Sequence, residues 1–118
     1  LLVNKKDVVS HADYKTRGAP PTGIIDSQNY YGLQGSVYSL LLERNKSQIS
    51  NSAYLIYYWP EQIDSEGIIQ FNSKVVKISA DPQQAVEFCV RAIELLKSNK
   101  PPAPNPACEY CGYIDKLL

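Results

Sequence analysis

Residues 8–16 read Val-Val-Ser-His-Ala-Asp-Tyr-Lys-Thr, and residues 34–45 read Gln-Gly-Ser-Val-Tyr-Ser-Leu-Leu-Leu-Glu-Arg-Asn, with a glycine- and proline-rich stretch between them. The first run is β-compatible and follows the polar Asn4-Lys5-Lys6-Asp7, which reads as a turn after the apolar Leu1-Leu2-Val3. The chain is therefore expected to enter in mid-sheet, already inside a hairpin. Lys15 to Gly23 contains Gly18, Pro20, Pro21 and Gly23 and reads as a loop, after which Asp26 or Ser27 can cap a helix running to about Asn45. On that helix Tyr30, Leu33, Val37, Leu40 and Leu41 share one face at helical spacing, and this face is predicted to be core. Gln34 and Tyr38, four apart, lie on an adjoining stripe with Gly35, whose missing side chain would let another backbone come close.

Further along, Ala53 to Trp59 is rich in β-formers and is expected to stop at Pro60, and a second run from Gly67 to Ile78 suggests an antiparallel partner. Asp81-Pro82-Gln83-Gln84 combines an N-cap, a proline in the first helical position and a Gln three after the cap. Val86, Cys89, Val90, Ile93 and Leu96 then recur on one face, so Cys89 is expected to be a small core residue. Lys100 to Pro106 forms a proline-rich strap that delivers Cys108-Glu109-Tyr110-Cys111. The length suits one domain over residues 1–118, with the strap at 100–107 and a C-terminal turn at 108–118. The chain has no Met at all, which reads as a segment of a longer product.

Lys and Arg together number 12, as do Asp and Glu, so no global field draws in a polyanion and any nucleic-acid contact must be local. No apolar run is long enough for a membrane span, and the N-terminus lacks the order of a signal peptide, so the expected compartment is the cytoplasm. Three cysteines, an odd number without a secretion signal, argue against a disulfide framework.

Chemistry concentrates at Asp13-Tyr14-Lys15, because residues two apart on a strand point to one face. A carboxylate there can hold a hard cation such as Mg²⁺, while the ammonium orients water or neutralises phosphate charge. The same spacing also suits a surface ion pair at a strand end. His11, the sole histidine, precedes Asp13 by two and can face the same way, as a ligand or as a half-exposed strand residue. Trp59 and the neighbouring tyrosines suit a sheet face more than a base-stacking platform.

The order strand, Asp-Tyr-Lys-Thr, loop, helix carrying Gln-x-x-x-Tyr resembles the RecB-like nucleases of the PD-(D/E)XK superfamily, a group that includes CRISPR-associated RecB-type exonucleases. The tail Ser39 to Asn45, the Tyr57-Tyr58-Trp59-Pro60 run, the capped helix and the proline-rich approach to C-x-x-C are also similar, so the resemblance covers most of the chain. It implies an α/β fold with a restriction-endonuclease-like core, a mixed sheet flanked by helices, truncated at its N-terminus. It further implies hydrolysis of phosphodiester bonds in DNA with Mg²⁺ or Mn²⁺, and a protein partner in a larger nuclease complex. Carried over by residue, Asp13 is implied to be a metal ligand, Tyr14 to add its backbone carbonyl and Lys15 to be the catalytic lysine. Gln34 and Tyr38 are implied to face the cleft.

These nucleases need a second metal-binding acid on the preceding strand. Asp7 lies too close to the turn, so that acid is expected upstream of Leu1, and the segment as given is expected not to cleave. Cys108 and Cys111 have the ligand spacing for zinc or an iron–sulfur cluster. Related nucleases build such a cluster from one early and three late cysteines, so here it is expected only in a longer parent protein. The alternative is a catalytically silent module that keeps the nuclease-like fold and binds nucleic acid or protein. Zero net charge and the absent second acid favour that module, whereas the intact Asp-Tyr-Lys favours the enzyme. A small zinc protein would need more ligands than the sequence offers.

Overall fold

The structure is a computed structural model that describes residues 2–5, 7–114 and 116. The strands are β1 (Leu2–Lys5), β2 (Val8–Thr16), β3 (Ser52–Ile63) and β4 (Ile69–Ser79), and the helices are α1 (Ile24–Arg44), α2 (Pro82–Lys97) and α3 (Glu109–Ile114). The strands form one sheet in the order β1-β2-β3-β4, antiparallel, parallel and antiparallel in turn. This is the expected α/β class with a mixed sheet. The hairpin between β1 and β2 pairs Lys5 with Val8, and Asp7 takes a left-handed conformation (φ 64°) to close so short a turn. The parallel step from β2 to β3 is crossed by α1, as parallel pairing requires.

The chain divides into two compact units, one ending at Glu87 and one starting at Phe88. In the first unit β3 alternates buried and half-buried residues from Ser52 to Trp59. Ala53, Leu55, Tyr57 and Trp59 form the core with Val76, Ile78 and Ala80. Opposite this face, Tyr54, Ile56 and Tyr58 are half-buried, while Tyr14, Phe71 and Val75 are exposed. Pro60 does not end β3. The strand runs on to Ile63, and the register shifts between Pro60 and Gln62, where a proline without an N–H is tolerated in a bulge.

Helix α1 is capped three residues before Asp26, the earlier of its two expected caps. Gly23 occupies the N-cap position without a side-chain cap, and Asp26 and Ser27 fall inside the first turn. There Ser27 Oγ donates to the Gly23 carbonyl at 2.9 Å, and Thr22 Oγ1 donates to Asp26 Oδ2. The face that α1 buries also departs from expectation. Its buried residues are Ser27, Gly32, Gly35, Ser36 and Ser39, while Tyr30, Leu33 and Leu41 are exposed and Val37 and Leu40 half-buried. Small residues let a helix axis approach a sheet closely, and a stripe of Ser and Gly carries almost no hydropathy signal. The hydroxyls of Ser27 and Ser36 on this stripe are satisfied, as burial demands. Ser36 Oγ donates to the Gly32 carbonyl at 2.9 Å and accepts the Asp81 N–H at 3.1 Å, and the Ser27 and Tyr57 hydroxyls share a buried hydrogen bond of 2.9 Å.

Helix α2 forms where expected, but only Pro82 and Ala85 along it are buried. Val90, Ile93 and Leu96 are exposed, and so is Cys89, which is therefore not a core residue. The periodicity located the helix correctly and misplaced its apolar face inside. In the second unit, the Asn105 carbonyl accepts the Cys108 N–H at 2.9 Å in the turn that leads into α3.

Candidate active site

Strand alternation turns His11, Asp13 and Lys15 of β2 toward α1, on the face where Leu55 and Tyr57 of β3 pair with Asp13 and Lys15. The centre of the site is Lys15. Its Nζ lies 2.8 Å from Asp13 Oδ2, donates to Gln34 Oε1 at 2.9 Å and sits 4.2 Å from the centroid of the Tyr31 ring. Gln34 Nε2 in turn donates to Tyr38 Oη at 2.9 Å. All four side chains singled out by sequence are thus linked by contacts of 2.9 Å or less, two from β2 and two from α1.

The ammonium is well enclosed, with 16% of the Lys15 side chain exposed against 32% for Asp13. Such a cation, pinned on three sides, has little rotational freedom left, unlike the flexible lysines of an open surface. Tyr31 is the site residue that sequence reading missed. Its signal was its place three before Gln34 and seven before Tyr38, the spacing of one helix face. Arg17, just beyond Thr16, lies over Tyr57 at 5.8 Å from the ring centroid and adds a second cation at this end of β2.

The Tyr14 carbonyl is placed by the ladder. Val9 and Arg17 both make backbone bonds toward the β3 side, so alternation directs the backbone of Tyr14 to the opposite edge. Described pairing with β1 runs from Lys5 with Val8 to Leu2 with His11, on the edge toward which the Tyr14 backbone points.

His11 is buried, 7% exposed, and meets Tyr38 edge-on at 5.4 Å between ring centroids. Gly35 lies beside the ring, where a Cβ would meet His11 Nε2 at 3.6 Å, an ordinary contact distance. Burial holds the imidazole pKa below its usual value, partly opposed by the nearby Asp13 carboxylate. Its Nδ1 is buried with no hydrogen-bond partner. His11, Asp13 and Tyr38 line an open pocket of about 290 Å³ together with Leu2, Ala12, Leu41 and Leu42.

Cys108 and Cys111 belong to the second unit. The Cys111 N–H donates to Cys108 Sγ at 3.5 Å, and hydrogen bonds from Cys111 hold the Cys108 thiol below the usual range. Among the described residues no group of three or more His, Cys, Asp or Glu side chains is arranged to hold a metal ion, at this turn or around Asp13. Among them, too, no helix is long and apolar enough to cross a membrane.

A family model described as the PD-(D/E)XK nuclease superfamily matches residues 1–115. No curated protein and no solved structure matches the chain.

Proposed function

Because this chain belongs to the PD-(D/E)XK nuclease superfamily, we propose that it carries part of the active site of a divalent-metal-dependent nuclease acting on DNA, of the RecB-like kind. The observation that carries this reading is the convergence of Asp13, Lys15, Gln34 and Tyr38 on one another from β2 and α1. Asp13 and the Tyr14 carbonyl are hard oxygen donors suited to Mg²⁺ or Mn²⁺. The half-exposed Asp13 carboxylate fits such an ion. A bound cation would supply Lewis-acid polarisation of the phosphate and a more acidic water.

The chain's own residues do the positioning. Lys15 presents one fixed positive charge beside the carboxylate, where it can steady a phosphate oxygen or hold the attacking water. Gln34 receives one N–H of that ammonium and passes the restraint to Tyr38, so α1 fixes the direction in which Lys15 points. Tyr31 supports the charge from beneath. DNA rather than RNA rests on the RecB-like pattern of the motifs. The family match spans both compact units, which supports treating residues 1–118 as one nuclease domain.

The absence of a three-ligand cluster among the described residues favours a second reading, a nuclease-like module that binds nucleic acid without cutting it. Mn²⁺ titration by calorimetry separates the two. Binding by the chain that disappears in Asp13→Asn supports the metal-site reading, whereas binding unchanged by the substitution, or none in either protein, favours the silent module.

A further inference from the structure

Along β2, the Asp13 carboxylate has a neighbour that the catalytic reading leaves without a task. His11 sits two residues earlier on the same face, is more than nine-tenths buried, and keeps a partnerless Nδ1. Buried ring nitrogens nearly always find a partner, and leaving one unmade costs stability unless a ligand satisfies it. The ring is not free to turn toward solvent, because Tyr38 packs against it edge-on and the Gly35 backbone faces Nε2. It lines the same 290 Å³ pocket as Asp13, so an ion held by the carboxylate there is within the imidazole's surroundings. We propose that His11 is an additional ligand to the cation held by Asp13, and that its nitrogen tilts the site toward Mn²⁺ and away from Mg²⁺. The second half follows from ligand type, since Mg²⁺ prefers oxygen and dehydrates reluctantly while first-row transition ions accept imidazole. The inference rests on the Asp13 metal-site reading and adds a nitrogen to it.

His11 is the sole histidine of the chain, so imidazole ¹⁵N signals report on it alone. The test titrates MnCl₂, MgCl₂ and ZnCl₂ into the wild-type chain, His11→Gln and Asp13→Asn. Calorimetry gives affinities for all three proteins, and wild-type imidazole ¹⁵N spectra are followed with diamagnetic Zn²⁺. Loss of an outer partner alone costs metal affinity about 10- to 100-fold, so His11→Gln is expected to weaken Mn²⁺ by at least about tenfold. Mg²⁺ affinity is expected to change far less, and one ring nitrogen in the wild type to shift on Zn²⁺ addition. Mn²⁺ affinity unchanged in His11→Gln, with no ¹⁵N shift in the wild type, overturns the proposal while an effect of Asp13→Asn leaves the underlying site standing. If Asp13→Asn also binds Mn²⁺ like the wild type, the metal-site reading itself falls and takes this inference with it. The ¹⁵N arm needs no substitution, so misfolding of His11→Gln cannot hide the answer.

Discussion

Replacing Gln34 by Ala removes the hydrogen bond from Lys15 that ties β2 to α1 at the site, and with it the bond within α1 to Tyr38. A hydrogen bond to a charged group contributes about 1.5–3 kcal/mol, and the lower end applies because Lys15 retains Asp13 at 2.8 Å and part of its solvent contact. The Tyr38 bond is exposed and adds about 0.5 kcal/mol. Gln34→Ala is therefore expected to cost about 2 kcal/mol, near 6–12 °C in Tm for a chain of this size. A double-mutant cycle with Lys15→Met isolates the Lys15–Gln34 bond and is expected to give a coupling of about 1–1.5 kcal/mol. Urea unfolding followed by fluorescence suits the assay, because Trp59 is the single tryptophan and is buried in the core, 8% exposed. A coupling below about 0.3 kcal/mol, within the error of additivity, would refute the claim that Gln34 fixes the lysine.

Tyr57→Phe removes the buried hydroxyl bonded to Ser27, whose Oγ keeps the Gly23 carbonyl, so a loss of about 1 kcal/mol is expected in the same urea assay. Gly35→Ala places a Cβ at ordinary contact distance, 3.4 Å from the Ala80 Cβ and 3.5 Å from Ile78 Cδ1. The helix gains up to about 1 kcal/mol from alanine, so stability should hold or rise, while Gly35→Leu should unfold the α1 packing visibly by circular dichroism. The folded-state pKa of His11 lies below its ordinary 6.5, so on acidification the unfolded chain takes the proton first. Its contribution is intact above about pH 6.5 and is lost as pH falls through the folded value. In EDTA, the melting temperature of the wild type should thus drop from pH 7.5 to 5.5 more steeply than that of His11→Gln.

The sheet and its chemistry were legible because period-two alternation, turn residues and the Asp-Tyr-Lys spacing act locally. Asp13, Lys15, Gln34 and Tyr38 could be placed on shared faces from spacing alone, and the structure joins them through direct contacts. What spacing could not show was which face of α1 is buried. Apolar periodicity pointed to Tyr30, Leu33 and Leu41, whereas the helix seats Ser27, Gly32, Gly35, Ser36 and Ser39 against the sheet because close approach demands small side chains. The same limit moved Cys89 from expected core to exposed surface. A helical moment shows that a face is apolar and is silent on what covers it. Tyr31 escaped notice because a tyrosine beside a tyrosine reads as core, and its role depends on where the Lys15 ammonium comes to rest.

The most direct test of the central claim is single-turnover cleavage of end-labelled DNA in Mn²⁺ by the gene product that carries this chain, compared with its Lys15→Ala variant. The account predicts cleavage that needs the metal and falls by about 10²-fold or more in the variant, the scale on which a lost electrostatic stabiliser is felt. Cleavage proceeding at equal rates in both proteins, or no metal-dependent cleavage by the wild type, would contradict it.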